Sequence, residues 1–289
     1  MPEEPERTTR ARRAAELALV RVCHHYGGTP NFVLLGGLVP QLLCADSGMV
    51  HAGTTDVDVQ VDLEIAAGAD NAPRLETALR NADFSPDSGQ VWRWETVQGG
   101  TYRAVIKFEL LADLDSARQG DNVLFTSTSA LGAVNLRGTG YAARDHTVRT
   151  LVAYDQGARR VADVHVAGLA GFLLAKTAAA YGRHKAKDYY DIAFVLLHHD
   201  EIDELGSGAM ESPAEVVLRR LGPPVELRTA LEDLRANFAD DDAQGTIAYV
   251  DQHGLNHPET DAATAATDAQ LTVAAFTGAL LGAIARRAG

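Results

Sequence analysis

The chain has 289 residues, is 46% hydrophobic and carries a formal net charge of −13. That length suffices for one large domain or two smaller ones with real cores, and the acidic balance argues against broad, non-specific nucleic-acid binding, which runs on excess Lys and Arg. No apolar run approaches the roughly 20 residues that span a bilayer, and the charged start MPEEPERTTRARRAAE lacks the apolar middle of a signal peptide, so a cytoplasmic protein without a membrane partner is expected.

Residues 8–26 read as a helix in which Leu17, Val20 and His24 recur at helical spacing, stopped by Gly27-Gly28. NFVLLGG is a short apolar run ending in glycines, and a short helix through Leu42 and Leu43 follows. Cys23 and Cys44 fall in apolar segments and are expected as buried free thiols; with no CxxC pair, a structural zinc site has little support. TDVDVQVDLEI alternates strictly, with Val57, Val59, Val61 and Leu63 on one face and Asp56, Asp58, Gln60 and Asp62 on the other, as a half-buried strand does.

A helix through Leu75 and Leu79 comes next. QVWRWETV and TYRAVIKFELLAD read as two strands joined through Gln98-Gly99-Gly100. Residues 147–154 and 159–166 read as a hairpin turning at Asp155-Gln156-Gly157. After Val166 the period changes to that of helices. AGLAGFLLAKTAAAYG is one, ended by Gly182; KDYYDIAFVLLHH is another; three or four more run to a last helix near residues 262–287. The chain is therefore expected to be α+β: a mixed-sheet domain over residues 1–165, then an all-helical domain over residues 166–289.

Asp56 and Asp58, two apart on a strand, point the same way with side chains about 7 Å apart. Carboxylates so placed repel unless a cation lies between them, and magnesium suits that place because it bridges carboxylates to substrate phosphates. The glycines upstream let a backbone approach a phosphate closely. The alternative is a solvated strand face, since Gln60 and Asp62 continue the polar pattern. Glu109 shares a strand face with Lys107 and offers a third acid, or a surface Lys/Glu face. Lys176 is the one charge in an apolar helix, either snorkelling to solvent or aimed at a cleft. Asp188 and Asp191 share a helix face, and Lys187 with Asp191 could form an i,i+4 pair. The pairs His24-His25 and His198-His199 diverge by about 100° on a helix and do not converge on one metal. Neither a P-loop nor a GxGxxG fingerprint is present.

LLGGLVPQLL…TTDVDVQV resembles the first motif of the polymerase-β-like nucleotidyltransferases: a glycine turn, a helix, then a strand carrying D-x-D. AKTAAAYGRHKAKDYYDIAFVL resembles the later motif of one branch, the AbiEii/MenT-type toxins of bacterial toxin–antitoxin systems. The resemblance covers roughly residues 30–65 and 165–200. It departs at Gly36-Gly37, where that superfamily carries glycine-serine, so a hydroxyl contact to phosphate falls to Thr54 or Thr55. It implies a magnesium-dependent enzyme that moves NMP from an NTP to an acceptor hydroxyl, with a cognate antitoxin as partner and a tRNA 3′ end as one acceptor. Asp56 and Asp58, with Glu109 as third acid, are its implied metal ligands. Asp56, Asp58, Lys176 and Asp191 are its implied catalytic residues, and Gly36, Gly37, Thr55, Arg183, Lys187 and Asp188 its nucleotide-binding set. A small-molecule or protein acceptor, or a non-catalytic module that binds nucleotide or a partner, are the other readings.

Overall fold

The structure is a computed structural model of the chain, and it describes residues 8–66, 71–98, 104–201 and 210–288. The chain divides into two compact units, one of Met1–Val39 and Gly53–Ala167, the other of Pro40–Ala52 and Gly168–Gly289. The first is mixed α and β; the second is helical.

The first unit opens with α1 (Thr9–Tyr26). Thr8 caps it by accepting the Ala11 N–H at 3.1 Å, and Gly27 closes it in the left-handed region (φ 75°), where a side chain would be strained. The buried residues are Ala11, Ala15, Ala18, Leu19, Val20, Val22, Cys23 and Tyr26; of the expected Leu17, Val20 and His24 only Val20 is buried. Alanines at these positions let the helix backbone lie close to the sheet, a contact that hydrophobicity alone does not mark.

The sheet is mixed and open. Its main order is β3 (Ser85–Pro86), β4 (Arg93–Gln98), β5 (Ala104–Ala112), β2 (Asp56–Gln60), β1 (Val33–Leu35), β9 (Ala158–Ala167) and β8 (His146–Asp155). β7 (Gly132–Asn135) also pairs with β5 and with β6 (Asn122–Leu124). β2 lies between β1, which is antiparallel to it, and β5, which is parallel. The hairpin of β8 and β9 turns through Gln156 (φ 50°) and Gly157 (φ 85°); two positive φ values make the tight turn whose twist matches the strands. The expected connection at Gln98-Gly99-Gly100 lies outside the described residues.

One face of the sheet forms the core. Val57, Val59, Ile106, Phe108 and Leu110 are fully buried, and α1 packs on β2, β5 and α4 (Asn71–Asn81). Phe108 meets Phe32 and Phe84 edge to face, with centroids 5.7 and 5.8 Å apart. The alternation of β2 ends sooner than expected: Asp62–Ala66 is a helical turn, α3, so Leu63 is not a strand residue. α5 (Gly140–Arg144) packs on β1, β2 and β9.

The second unit holds α6 (Leu169–Arg183), α7 (Ala186–His198), α8 (Pro213–Arg220), α9 (Arg228–Ala236), α10 (Gln244–Asn256) and α11 (Ala262–Ala288). α6 runs through Gly182 and ends at Arg183, because His184 adopts the left-handed conformation (φ 47°) that closes it. The segment 40–52, read from the sequence as part of the first domain, groups with this unit through specific bonds. The Ala52 N–H donates to the Tyr190 hydroxyl (3.1 Å), the Asp200 N–H to the Leu43 carbonyl (2.9 Å), and His257 Nε2 lies 3.1 Å from the Val50 carbonyl. α11 has the length and mean hydropathy (1.4) to cross a membrane, with 39% of that window buried; it packs on α7, α8, α9 and α10 along Ala269, Val273, Phe276 and Leu280. Its alanines carry that hydropathy, which is why no long run of large apolar residues announces it.

Phe108 is a fully buried core position that packs edge to face on two other rings. Phe108→Ala should cost about 3–5 kcal/mol in chemical denaturation of the full chain; a loss below about 1 kcal/mol would contradict a close-packed core there.

Candidate functional site

In the sheet unit, strand pairing assembles a row of functional groups. Leu35, the last residue of β1, is paired with Asp58; Asp58 is paired with Glu109; Glu109 is paired with Arg93 on β4. The next row carries Asp56, Lys107 and Glu95. Asp56 and Asp58 are half-buried and Gln60, next along the same strand face, is fully buried, so this face is not the solvated one that the alternating pattern allowed.

The glycine turn fits against this row. Gly36 follows Leu35 with φ 78°, and a Cβ on it would fall 1.9 Å from Asp58 Oδ2. Only glycine meets both the left-handed backbone and the close approach of the carboxylate. A Cβ on Gly37 would lie 2.9 Å from the Thr54 Cβ, so Thr54, not Thr55, packs on the second glycine. Thr54 Oγ1 also accepts the Asp56 N–H at 3.1 Å, which fixes the start of β2. Thr55 is buried and its carbonyl accepts the Lys107 N–H at 3.1 Å.

Electrostatics mark this face. Burial, with Asp58 and Asp56 adding to it, pushes the Glu109 carboxyl up to about 7, against the opposing pull of Arg93. Arg93 Nε and Nη2 each lie 2.8 Å from Glu109 Oε1. Glu109 thus stands where a third acid was expected, opposite Asp58, with one oxygen committed to a guanidinium. Among the described residues no group of three His, Cys, Asp or Glu side chains is arranged to hold a metal ion. The donor chemistry nevertheless fits magnesium at the two aspartates: hard carboxylate oxygens two residues apart on a central strand, one of them seated against the Gly36 backbone.

The other expected residues belong to the helical unit. Lys176, in α6, is buried and its ammonium donates to Asp188 Oδ1 (3.0 Å) and Asp191 Oδ2 (2.7 Å), both on α7. Arg183 Nε and Nη2 donate to the two Asp188 oxygens at 2.6 and 2.7 Å. Burial alone would lower the Lys176 pKa, but Asp191 and Asp188 outweigh it and raise it; burial would raise that of Asp188, but Lys176 and Arg183 lower it. Lys176 therefore does not snorkel, and its charge is matched by carboxylates within its own unit. Lys187 is half-buried in the first turn of α7.

Two members were missed. His51 is fully buried, 3.0 Å from Asp191 Oδ1, stacked on Tyr190 at 5.0 Å and edge-on to Phe194 at 4.9 Å. Arg93 was read only as part of a strand. Its alternation with Trp94 marked it as facing away from the core, but not which carboxylate it meets. Cys23 and Cys44 are free and buried, and burial pushes both thiols up, Cys23 to about 12.

Because breaking a buried ion network strands the remaining charges, Lys176→Met should destabilise the chain by about 3–5 kcal/mol. Adding Asp191→Asn should restore part of that loss, read as a non-additive double-mutant cycle in denaturant. A single variant that melts like the wild type would contradict the network. Neither a protein-family model, nor a curated protein, nor a solved structure matches the chain.

Proposed function

We propose that the chain is a cytoplasmic, magnesium-dependent nucleotidyltransferase of the polymerase-β-like type, acting as the toxin of a toxin–antitoxin pair. The observation that carries the reading is the side-by-side placement of Asp56 and Asp58 on β2, with Gly36 packed against Asp58 and Glu109 in register opposite it. The arrangement supports nucleotide transfer over a phosphate-free function because it gathers carboxylates on a half-buried face and seats one of them directly against a glycine backbone.

In the proposed reaction an acceptor hydroxyl oxygen forms a bond to the α-phosphorus of an NTP, its proton passes to water, the bond from that phosphorus to the bridging oxygen breaks, and pyrophosphate leaves. Asp56 and Asp58 would hold magnesium, which supplies charge stabilisation at the attacking and leaving oxygens. β2, paired on both sides, keeps the two carboxylates in place, so little reorganisation is needed when charge develops. Gly36 leaves room for the Asp58 carboxylate and Gly37 for the Thr54 side chain, so both groups lie close against the glycine turn. The resemblance assigns Lys176, Asp191, Arg183, Lys187 and Asp188 to the nucleotide side as well. A tRNA 3′ end is the acceptor that it favours.

A second reading, a nucleotide- or partner-binding module without turnover, draws on the helical unit, where Lys176 is saturated by Asp188 and Asp191. Turnover separates the two. The full chain incubated with each labelled NTP, magnesium and total RNA or protein extract should label one fraction. Asp58→Asn should cut that labelling by about a thousandfold, the scale of losing a principal electrostatic contact to the transition state. Its fold should stay intact by circular dichroism and its melting temperature unchanged or higher, since one of three crowded carboxylates is neutralised. An Asp58→Asn protein that transfers at the wild-type rate would overturn the assignment, and binding of NTP without transfer by the wild type would favour the module.

A further inference from the structure

Arg93, the first residue of β4, is placed directly opposite Glu109, and the pairing of β4 with β5 continues from Trp94 with Phe108 to Gln98 with Ala104. Two of its nitrogens converge on one Glu109 oxygen at 2.8 Å. Its guanidinium also lies over the Trp92 ring, 4.7 Å from the centroid. Both charged side chains are mostly shielded, at 24% and 17% exposure, so the pair is screened less than a surface one. A planar fork held from two directions is a fixed positive charge rather than a mobile one.

We propose that Arg93 is the permanent counter-charge of Glu109, so that this strand face takes up a single divalent cation on Asp56 and Asp58, with Glu109 outside the ligand set. The inference rests on the reading of Asp56 and Asp58 as a magnesium pair and adds the number of ions and the residue that sets it. A two-ion centre needs carboxylates that bridge ions roughly 3.5–4 Å apart, and the third acid is the natural one to share. Here the third acid already has its cation. Arg93 does the electrostatic work that a second ion would otherwise do: it offsets one of three crowded carboxylates before any ligand arrives. Removing Arg93 leaves three mutually repelling carboxylates, a state that is less stable alone and more attractive to divalent cations.

The test is Mn²⁺ titration of the full chain, by calorimetry and by electron paramagnetic resonance of the free ion, with melting temperatures measured in parallel. The wild type should bind one ion. Since Glu109 is not a ligand, Glu109→Gln should still bind one ion, weakened by no more than about tenfold because the Arg93 charge beside the aspartates is then uncompensated. Arg93→Met should melt lower without metal, bind Mn²⁺ about tenfold tighter or take a second ion, and recover its melting temperature when Mn²⁺ is added. Arg93→Met with unchanged or weaker Mn²⁺ binding would overturn the proposal, because Arg93 would then be only a structural partner or the residue that presents Glu109 as a ligand. Loss of the ion in Glu109→Gln would overturn it too, and that arm decides if Arg93→Met does not fold. No Mn²⁺ bound by the wild type, or the same binding in Asp58→Asn, would instead overturn the reading of the aspartate pair.

Discussion

Three carboxylates on adjoining strand positions, Asp56, Asp58 and Glu109, are the constraint around which the sheet unit is arranged. Two lie two residues apart on β2 and the third lies opposite Asp58 on β5. Like charges this close, in a half-buried place, raise the energy of the folded chain unless something compensates. The compensation is visible in the register: Arg93 stands next in the row beyond Glu109, and Gly36 stands at the other end, leaving Asp58 room to lie where a Cβ would collide with it. The opposite face of the same strands is uniformly apolar, with Val57, Val59, Ile106 and Phe108 fully buried. A one-residue slip of β2 would exchange the two faces, placing valines at the carboxylate row and aspartates in the core, so the register is strongly specified.

The helical unit solves a parallel problem by another route. Lys176, Asp188 and Asp191 lie too deep to be solvated, and each is paired with an opposite charge at 3.0 Å or less. Such a network contributes little net stability over apolar packing but punishes any arrangement that separates its members, which favours one packing of α6 on α7. His51 extends it to the segment 40–52. Together with the Ala52 bond to Tyr190 and the His257 bond to Val50, it ties that segment to helices more than a hundred residues later in the chain.

Much of this was legible in the chain itself. The change from period 2 to period 3.6 marks where sheet gives way to helices, because burial on one face of each element leaves that imprint. The shared side of Asp56 and Asp58 follows from the geometry of any strand, and Gln156-Gly157 marks the β8–β9 turn through its backbone requirements. What stayed hidden was non-local. That Gln60 is buried depends on what covers the strand, that Arg93 meets Glu109 depends on the pairing of β4 with β5, and that 40–52 joins the helical unit depends on distant bonds. α1 shows a subtler failure. Three of its eight inward positions are alanines, and Leu17 stands off the buried face, so large apolar residues alone did not identify that face.

The central claim is that Asp56 and Asp58 form a divalent-cation site that receives a nucleoside triphosphate. The most direct measurement is a crystal structure of the full chain with magnesium and a non-hydrolysable NTP analogue. The account predicts metal density with ligand distances of about 2.0–2.1 Å to oxygens of both aspartates and to the triphosphate, beside Gly36. A nucleotide bound elsewhere, with Asp56 and Asp58 holding neither metal nor phosphate, would contradict it.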